Sequence, residues 1–195
     1  MWTLFLTVAL VSATHAAVLD RLAMVVGNQV FTEGEVQDEV RLTQFLNQQP
    51  LDLGPEQRRA AAERLVDQQL IRNEMQIGGN PQPSQSEADA MLRNFRQEHY
   101  RSVAQFRAAL EKYGISEDQL KQHLLWQLTA VRFTDVRFRP VVSAPTSSTP
   151  SIQTADRLRA GADAPAGDSV DQQMEAWLKT ARSQTRIDFK KEAFQ

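Results

Sequence analysis

The sequence predicts a mainly α-helical domain: a bundle of five to six helices with a small antiparallel sheet formed by an N-terminal hairpin and a C-terminal strand. Three observations predict it. Successive apolar stretches with helical spacing are opened by Ser, Thr or Pro start signals and closed by Gly or Pro. A short alternating stretch after position 20 folds back at Gly27-Asn28. After a long Pro, Ser, Thr, Ala and Gly-rich stretch, the chain resumes a helix and a strand between Met174 and Lys191.

Leu22, Met24 and Val26 alternate with Arg21, Ala23 and Val25, the two-residue period of a strand with one fully apolar face. Gly27-Asn28 supplies a two-residue turn that tolerates positive φ, so Gln29 to Phe31 returns as a second short strand. Thr32 and Glu35 form a capping box that opens the first helix. Val36, Val40 and Phe45 share one broad face of it, and it ends before Pro50. In the next helix Pro55 takes the first-turn position and Gly78-Gly79 closes the far end. Leu65, Val66, Leu70, Ile71 and Met75 make its buried stripe, and Pro81 and Pro83 hold the next few residues in a loop.

Three further helices begin at serine caps. Ser84 with Glu87 opens one carrying Ala88, Met91, Leu92 and Phe95. Ser102 with Gln105 opens a short one carrying Val103, Phe106, Leu110 and Tyr113, ended by Gly114. Ser116 with Gln119 opens a long one carrying Leu120, Leu124, Leu128 and Val131, running to about Arg139, where Pro140 ends it.

From Val141 to about Asp168 large apolar residues are few, so burial cannot offset the entropy of ordering, and the stretch reads as a flexible linker. A helical fragment near Thr154 to Arg159 is the one local signal in it. Beyond it Met174, Trp177, Leu178 and Ala181 give a helical stripe, and Ile187 and Phe189 alternate with Arg186, Asp188 and Lys190 as a strand. A lone strand is unstable and a two-stranded hairpin marginal, so the last strand is expected to join the N-terminal hairpin, with Trp177 packed on the helical body. The domain therefore comprises residues 17–139 and 170–195, with 140–169 as an excursion.

At 195 residues and 42% apolar content the chain suits one domain with a real core. A net charge of −2 and a pI of about 5.9 give no global basic field toward nucleic acid or anionic membrane. The absence of cysteine removes disulfides, thiolate catalysis and Cys-ligated zinc, and suits an oxidising compartment. Trp2 to Val11 is an apolar run of signal-peptide length, too short to span a bilayer. Thr14-His15-Ala16 completes a small-x-small site, so residues 1–16 read as a secretory signal cleaved before Ala17, although the segment has no Lys or Arg.

The inventory argues against an enzyme. After signal removal His99 and His123 remain, read as a solvated helix-end residue and a helix-surface residue, neither at a metal-ligand spacing. There is no G-x-S-x-G elbow, and the glycines of QIGGN lack the Lys and Ser/Thr of a phosphate loop. The carboxylates, as in Glu111-Lys112 and Glu117-Asp118, read as solvated faces. Arg132, Arg137 and Arg139 interleave with Phe133 and Phe138 near a helix end, read as cations favoured by the macrodipole with the rings packed inward.

The order of elements resembles a known family. VVGNQVFTEGEVQDEVR, RLVDQQLIRNEM and FRAALEKYGISEDQLKQHLLWQLTAVRF together resemble the N-terminal domain of SurA-type periplasmic chaperones, of the trigger factor/SurA peptide-binding group. MEAWLKTARSQTRIDF resembles the C-terminal segment that completes that domain. The resemblance covers Val18 to Arg139 and Asp171 to Phe194, and rests on element order and hydrophobic pattern. In that family parvulin-type prolyl isomerase domains commonly sit where this chain has the linker, so isomerase activity is expected to be absent.

The resemblance implies a periplasmic, ATP-independent holdase for unfolded outer-membrane or secreted polypeptides, with no catalytic residue, cofactor, metal, nucleic-acid partner or stable membrane insertion after signal cleavage. An apolar cleft between the helices would hold clients, with Met91, Phe95, Phe106, Tyr113 and Trp126 as candidate lining residues; flexible, polarizable Met suits a promiscuous surface. The alternative is a non-catalytic scaffold subunit for one dedicated envelope partner.

Overall fold

A computed structural model describes residues 20–138 and 170–195 of the chain. The expectations for 1–16, for the end of the fifth helix at Arg139-Pro140 and for the linker lie outside the described residues. Strands β1 (Leu22–Val26) and β2 (Gln29–Thr32) form the hairpin. Helices α1 (Glu33–Leu46), α2 (Pro55–Ile77), α3 (Gln85–His99), α4 (Val103–Tyr113) and α5 (Glu117–Phe138) come next. Helix α6 (Val170–Gln184), strand β3 (Ile187–Phe189) and a 3-10 turn (Lys191–Phe194) complete the described chain.

The two ends share one sheet. Its order is β2-β1-β3, both pairings antiparallel, with Met24 opposite Phe189 and Val26 opposite Ile187. At the hairpin turn the positive φ falls on Gly27 (+60°) and not on Asn28, as when glycine takes the first central position. A bulge between Leu22 and Met24 corrects the expected alternation. The extra residue turns Leu22 outward, while Ala23, Met24 and Val26 are buried.

The caps form as the sequence implies. Thr32 and Glu35, and Ser84 and Glu87, make reciprocal capping boxes. Ser116 Oγ accepts from Gln119 N–H, and Gln119 Oε1 from Ser116 N–H. Gly114 closes α4 in the left-handed region (φ +65°, ψ +37°), and Ile115 N–H then reaches Leu110 O at 3.1 Å. A Cβ at Gly114 would meet nothing within 4 Å, so Gly114→Ala tests conformation alone. It is expected to cost about 1 kcal/mol, seen as a lower denaturant midpoint with unchanged slope.

Among the described residues, three apolar clusters make up the interior. The sheet, the first half of α1, α2 and the 3-10 turn enclose the first, around Met24, Phe31, Val36, Leu65 and Val66. The end of α1, with α3, α4 and the first half of α5, encloses the second, around Phe45, Leu92, Phe106 and Leu124. The ends of α2 and α5, with α6, enclose the third, where Ile71, Met75 and Phe133 meet Trp177, whose ring lies 4.7 Å from Phe133. Arg182 fastens α6 to α2 through Glu63 (2.6 Å) and Asp67 (2.7 Å), and these hydrogen bonds, that to Asp67 foremost, hold its guanidinium above the usual range.

Helix α5 corrects a second expectation. At roughly 100° per residue, Leu120 and Leu124 lie on one side of it and Thr129 and Phe133 on the opposite side. The helix hands its buried face from the second cluster to the third, so Val131, which continues the first stripe, is exposed. Val103 likewise lies at the margin of the Phe106–Leu110 face and is exposed.

Candidate binding cleft

Where α1, α2 and α5 pass one another, a cavity of about 450 Å³ opens between the clusters. Phe31, Leu42, Leu65 and Trp126 form its apolar floor. Cavities of about 320 Å³ and 230 Å³ adjoin it, and Trp126 lines all three. The three share lining residues, and each is of a size suited to a side chain of a bound segment.

A polar network forms its centre. The Glu39 side chain is only 5% exposed, and its Oε2 lies 3.5 Å from Nδ1 of His123, itself 10% exposed. Arg64 Nε donates to Glu39 Oε1 at 3.2 Å, and Thr43 Oγ1 at 3.3 Å. Burial pushes the Glu39 carboxyl up, but the hydrogen bond and charge of His123, the charge of Arg64 and the Gln68 amide outweigh it and hold it below its ordinary value. Arg72 donates to Gln68 Oε1 (3.2 Å), and its guanidinium carbon lies 5.1 Å from the Trp126 ring centre, a cation–π contact. Desolvation lowers the Arg72 pKa, and the Glu39 charge opposes that shift.

This arrangement ties three helices together at a point where their apolar faces diverge. Chemically it orients an imidazole but sets no nucleophile beside it. No Ser or Cys lines the cleft among the described residues, the Thr43 hydroxyl is bonded to the same carboxylate, and that of Thr129 donates to Leu125 O at 3.0 Å. No group of three His, Cys, Asp or Glu converges there as a metal site would require, again among the described residues. Gln122 and Gln127 line its walls. An amide donates and accepts at once, so such walls match the main-chain N–H and C=O groups of an extended polypeptide of any sequence.

Of the five candidate residues, Trp126 alone lines the cleft. Phe106 is 0% exposed within the second cluster and cannot touch a client in this conformation. Met91, Phe95 and Tyr113 are half-buried around the same cluster. The rings of Phe95 and Tyr113 lie 5.8 Å and 5.5 Å from Phe45, and the Tyr113 hydroxyl donates to Gln49 O at 2.6 Å. They form an aromatic core between α1, α3 and α4.

His123 is a correction: expected on a helix surface, it is enclosed and paired. So is Glu39, which departs from the expected solvated carboxylates. A signal for both stands in the sequence, since Val36-x-x-Glu39-Val40 and Leu120-x-x-His123-Leu124 each place a polar residue within an apolar helical stripe. The basic strip is engaged with its neighbours. Arg132 pairs with Glu87, Arg137 with Glu74 at 3.4 Å, and Phe133 and Phe138 pack edge-to-face. His99 ends α3, exposed beside Phe95. No helix among the described residues is long and apolar enough to cross a membrane.

No family model matches the sequence, and no curated protein matches it significantly. The cleft must therefore be read from its own chemistry.

Proposed function

We propose that this protein is an ATP-independent periplasmic holdase that binds unfolded outer-membrane or secreted polypeptides in the α1–α2–α5 cleft, without prolyl isomerase activity. One observation carries the reading. The cleft combines an apolar floor with amide walls and an oriented but nucleophile-free polar centre, a lining suited to holding a chain and not to cleaving it. The element-order resemblance and the signal-like N-terminus add support for the compartment and the client class.

The test uses protein recovered from the periplasm of cells expressing the full sequence, so its location is checked in the same experiment. Diluted from urea with an outer-membrane protein, it is expected to suppress light scattering at molar excess; undiminished scattering would count against a holdase. Trp126→Ala removes the side chain common to all three cavities and is expected to weaken client binding by about 2 kcal/mol, roughly thirtyfold. Fluorescence anisotropy with a labelled unfolded client measures it.

A further inference from the structure

The buried polar centre is also a wall. The cavities of about 450 Å³ and 320 Å³ share Glu39, Gln68, His123 and Trp126, so the bonded group around Glu39 stands between them. Three helices supply it: Glu39 comes from α1, Arg64 and Gln68 from α2, and His123 from α5. Its ties converge on one carboxylate, with Arg64 Nε and the Thr43 hydroxyl on Oε1 and the His123 ring 3.5 Å from Oε2. Arg72 of α2 adds a further positive charge beside it. The other carboxylates at the junction are Glu35 and Asp38 of α1, Asp67 of α2 and Asp118 of α5. Asp38 is taken by Arg41 and by Gln119 Nε2 at 2.7 Å, and Asp67 by Arg182 at 2.7 Å. Glu35 is bonded to Thr32, and Asp118 is exposed to water. None of the four replaces Glu39 as the common anchor.

We propose that Glu39 is an acid-operated latch: neutralising its carboxylate releases α5 from α1 and α2 at this point and joins the two cavities into one passage. The inference concerns the fold and does not rest on the holding function. A neutral carboxyl still offers hydrogen bonds but no charge. Arg72, desolvated beside the Trp126 ring, then loses the charge that opposes its desolvation, and histidine is a cation in acid. The junction is left with like charges and no central anion, which separate toward water. Because the folded carboxyl sits below its ordinary value of 4.5, its charge closes the latch above that pH. The charge is lost as pH falls through the lower folded value.

The sequence has no cysteine, so a single introduced thiol reports its own site. Leu65→Cys probes the cavity floor, and Leu92→Cys, at the same 7% exposure, probes the second cluster away from the cavities. Labelling by dithiodipyridine, which reacts with thiols in acid as well as at neutral pH, is measured relative to the exposed Gln97→Cys. From about pH 7 to about pH 3 the Leu65→Cys rate is expected to rise roughly tenfold, with Leu92→Cys unchanged. In a Glu39→Gln background, whose amide keeps the shape without the charge, Leu65→Cys should label fast at both pH values. Arg72→Gln removes a cation from the junction, so it should blunt the acid rise; it also serves as the test if Glu39→Gln fails to fold. Slow labelling of Leu65→Cys throughout would overturn the proposal. Acid labelling of Leu65→Cys and Leu92→Cys alike would do so too, because the whole fold then opens. An acid rise that persists unchanged with Glu39→Gln or Arg72→Gln would place the switch elsewhere and equally overturn it.

Discussion

A chain ending at Gln184 should melt far below the parent, although the lost segment is short and lies at the terminus. Without β3, the Gly27 N–H loses Arg186 O (2.8 Å), the Ala23 carbonyl loses Lys190 N–H (2.9 Å), and β1 becomes an open edge. Phe189 and Phe194, edge-to-face at 5.9 Å, leave the first cluster. Arg59, stacked 3.8 Å over the Phe189 ring, loses that ring and keeps only Glu63 (3.0 Å), and Arg58 loses Ala193 O (2.9 Å) and Gln195 O (2.8 Å), to which it donates. Truncating one buried aromatic costs roughly 3–5 kcal/mol, so losing two half-buried ones costs on the order of 4 kcal/mol. At about 2–4 °C per kcal/mol for a chain of this size, the melting temperature should fall roughly 8–16 °C. Calorimetry of the truncated chain and of Phe189→Ala, which should show a smaller drop, measures it. A truncated chain melting like the parent would mean that the shared sheet contributes nothing to stability.

The legibility of this fold in its sequence divides along a physical line. Capping chemistry is local. Thr32 with Glu35, Ser84 with Glu87 and Ser116 with Gln119 are three residues apart, and Gly114 carries its own conformational permission, so these helix starts and stops are legible. The meeting of the ends is legible for a different reason: a three-residue strand cannot stand alone, and among the described residues the N-terminal hairpin offers it an edge. Face assignments fail where a helix changes partners. A stripe extrapolated from Leu120 and Leu124 to Val131 assumes one core, whereas α5 serves two.

The same change of partner explains why the cleft is the least legible feature. Helix α1 gives Val36 and Val40 to the first cluster and Leu42 and Phe45 to the second. Helix α2 passes from Leu65 and Val66 in the first cluster to Ile71 and Met75 in the third. At each transfer stands a polar residue, Glu39, Gln68 or His123, too enclosed for surface and unsuited to an apolar core. Aromatic residues at helical spacing, by contrast, mark complete cores. That is why Phe95, Phe106 and Tyr113 pack around Phe45, while Trp126, one turn after His123, lines the cleft at the margin of the third cluster.

Replacing Glu39 should be the most costly single change in the cleft. Glu39→Ala removes the carboxylate that joins His123, Arg64 and the Gln68 amide, and because Arg64 stays partly solvated the loss should be on the order of 2–3 kcal/mol. His123→Ala should cost less, because Arg64 and the Gln68 amide still attend the carboxylate, and a double-mutant cycle should return a coupling of about 1–3 kcal/mol. Acid titration separates charge from packing. The folded carboxyl sits below its ordinary value of 4.5, so its stabilisation is fully present above that pH and is lost as pH falls through the lower folded value. Glu87, held low by the Ser84 backbone N–H and hydroxyl, and Asp188, held low by Lys190, titrate on the same acid limb and are common to both proteins. Glu39→Gln should therefore be less stable than the parent at neutral pH, with the gap closing on acidification. A gap that stayed constant from about pH 7 to about pH 3 would assign the loss to packing, and the network would then join the three helices by shape alone.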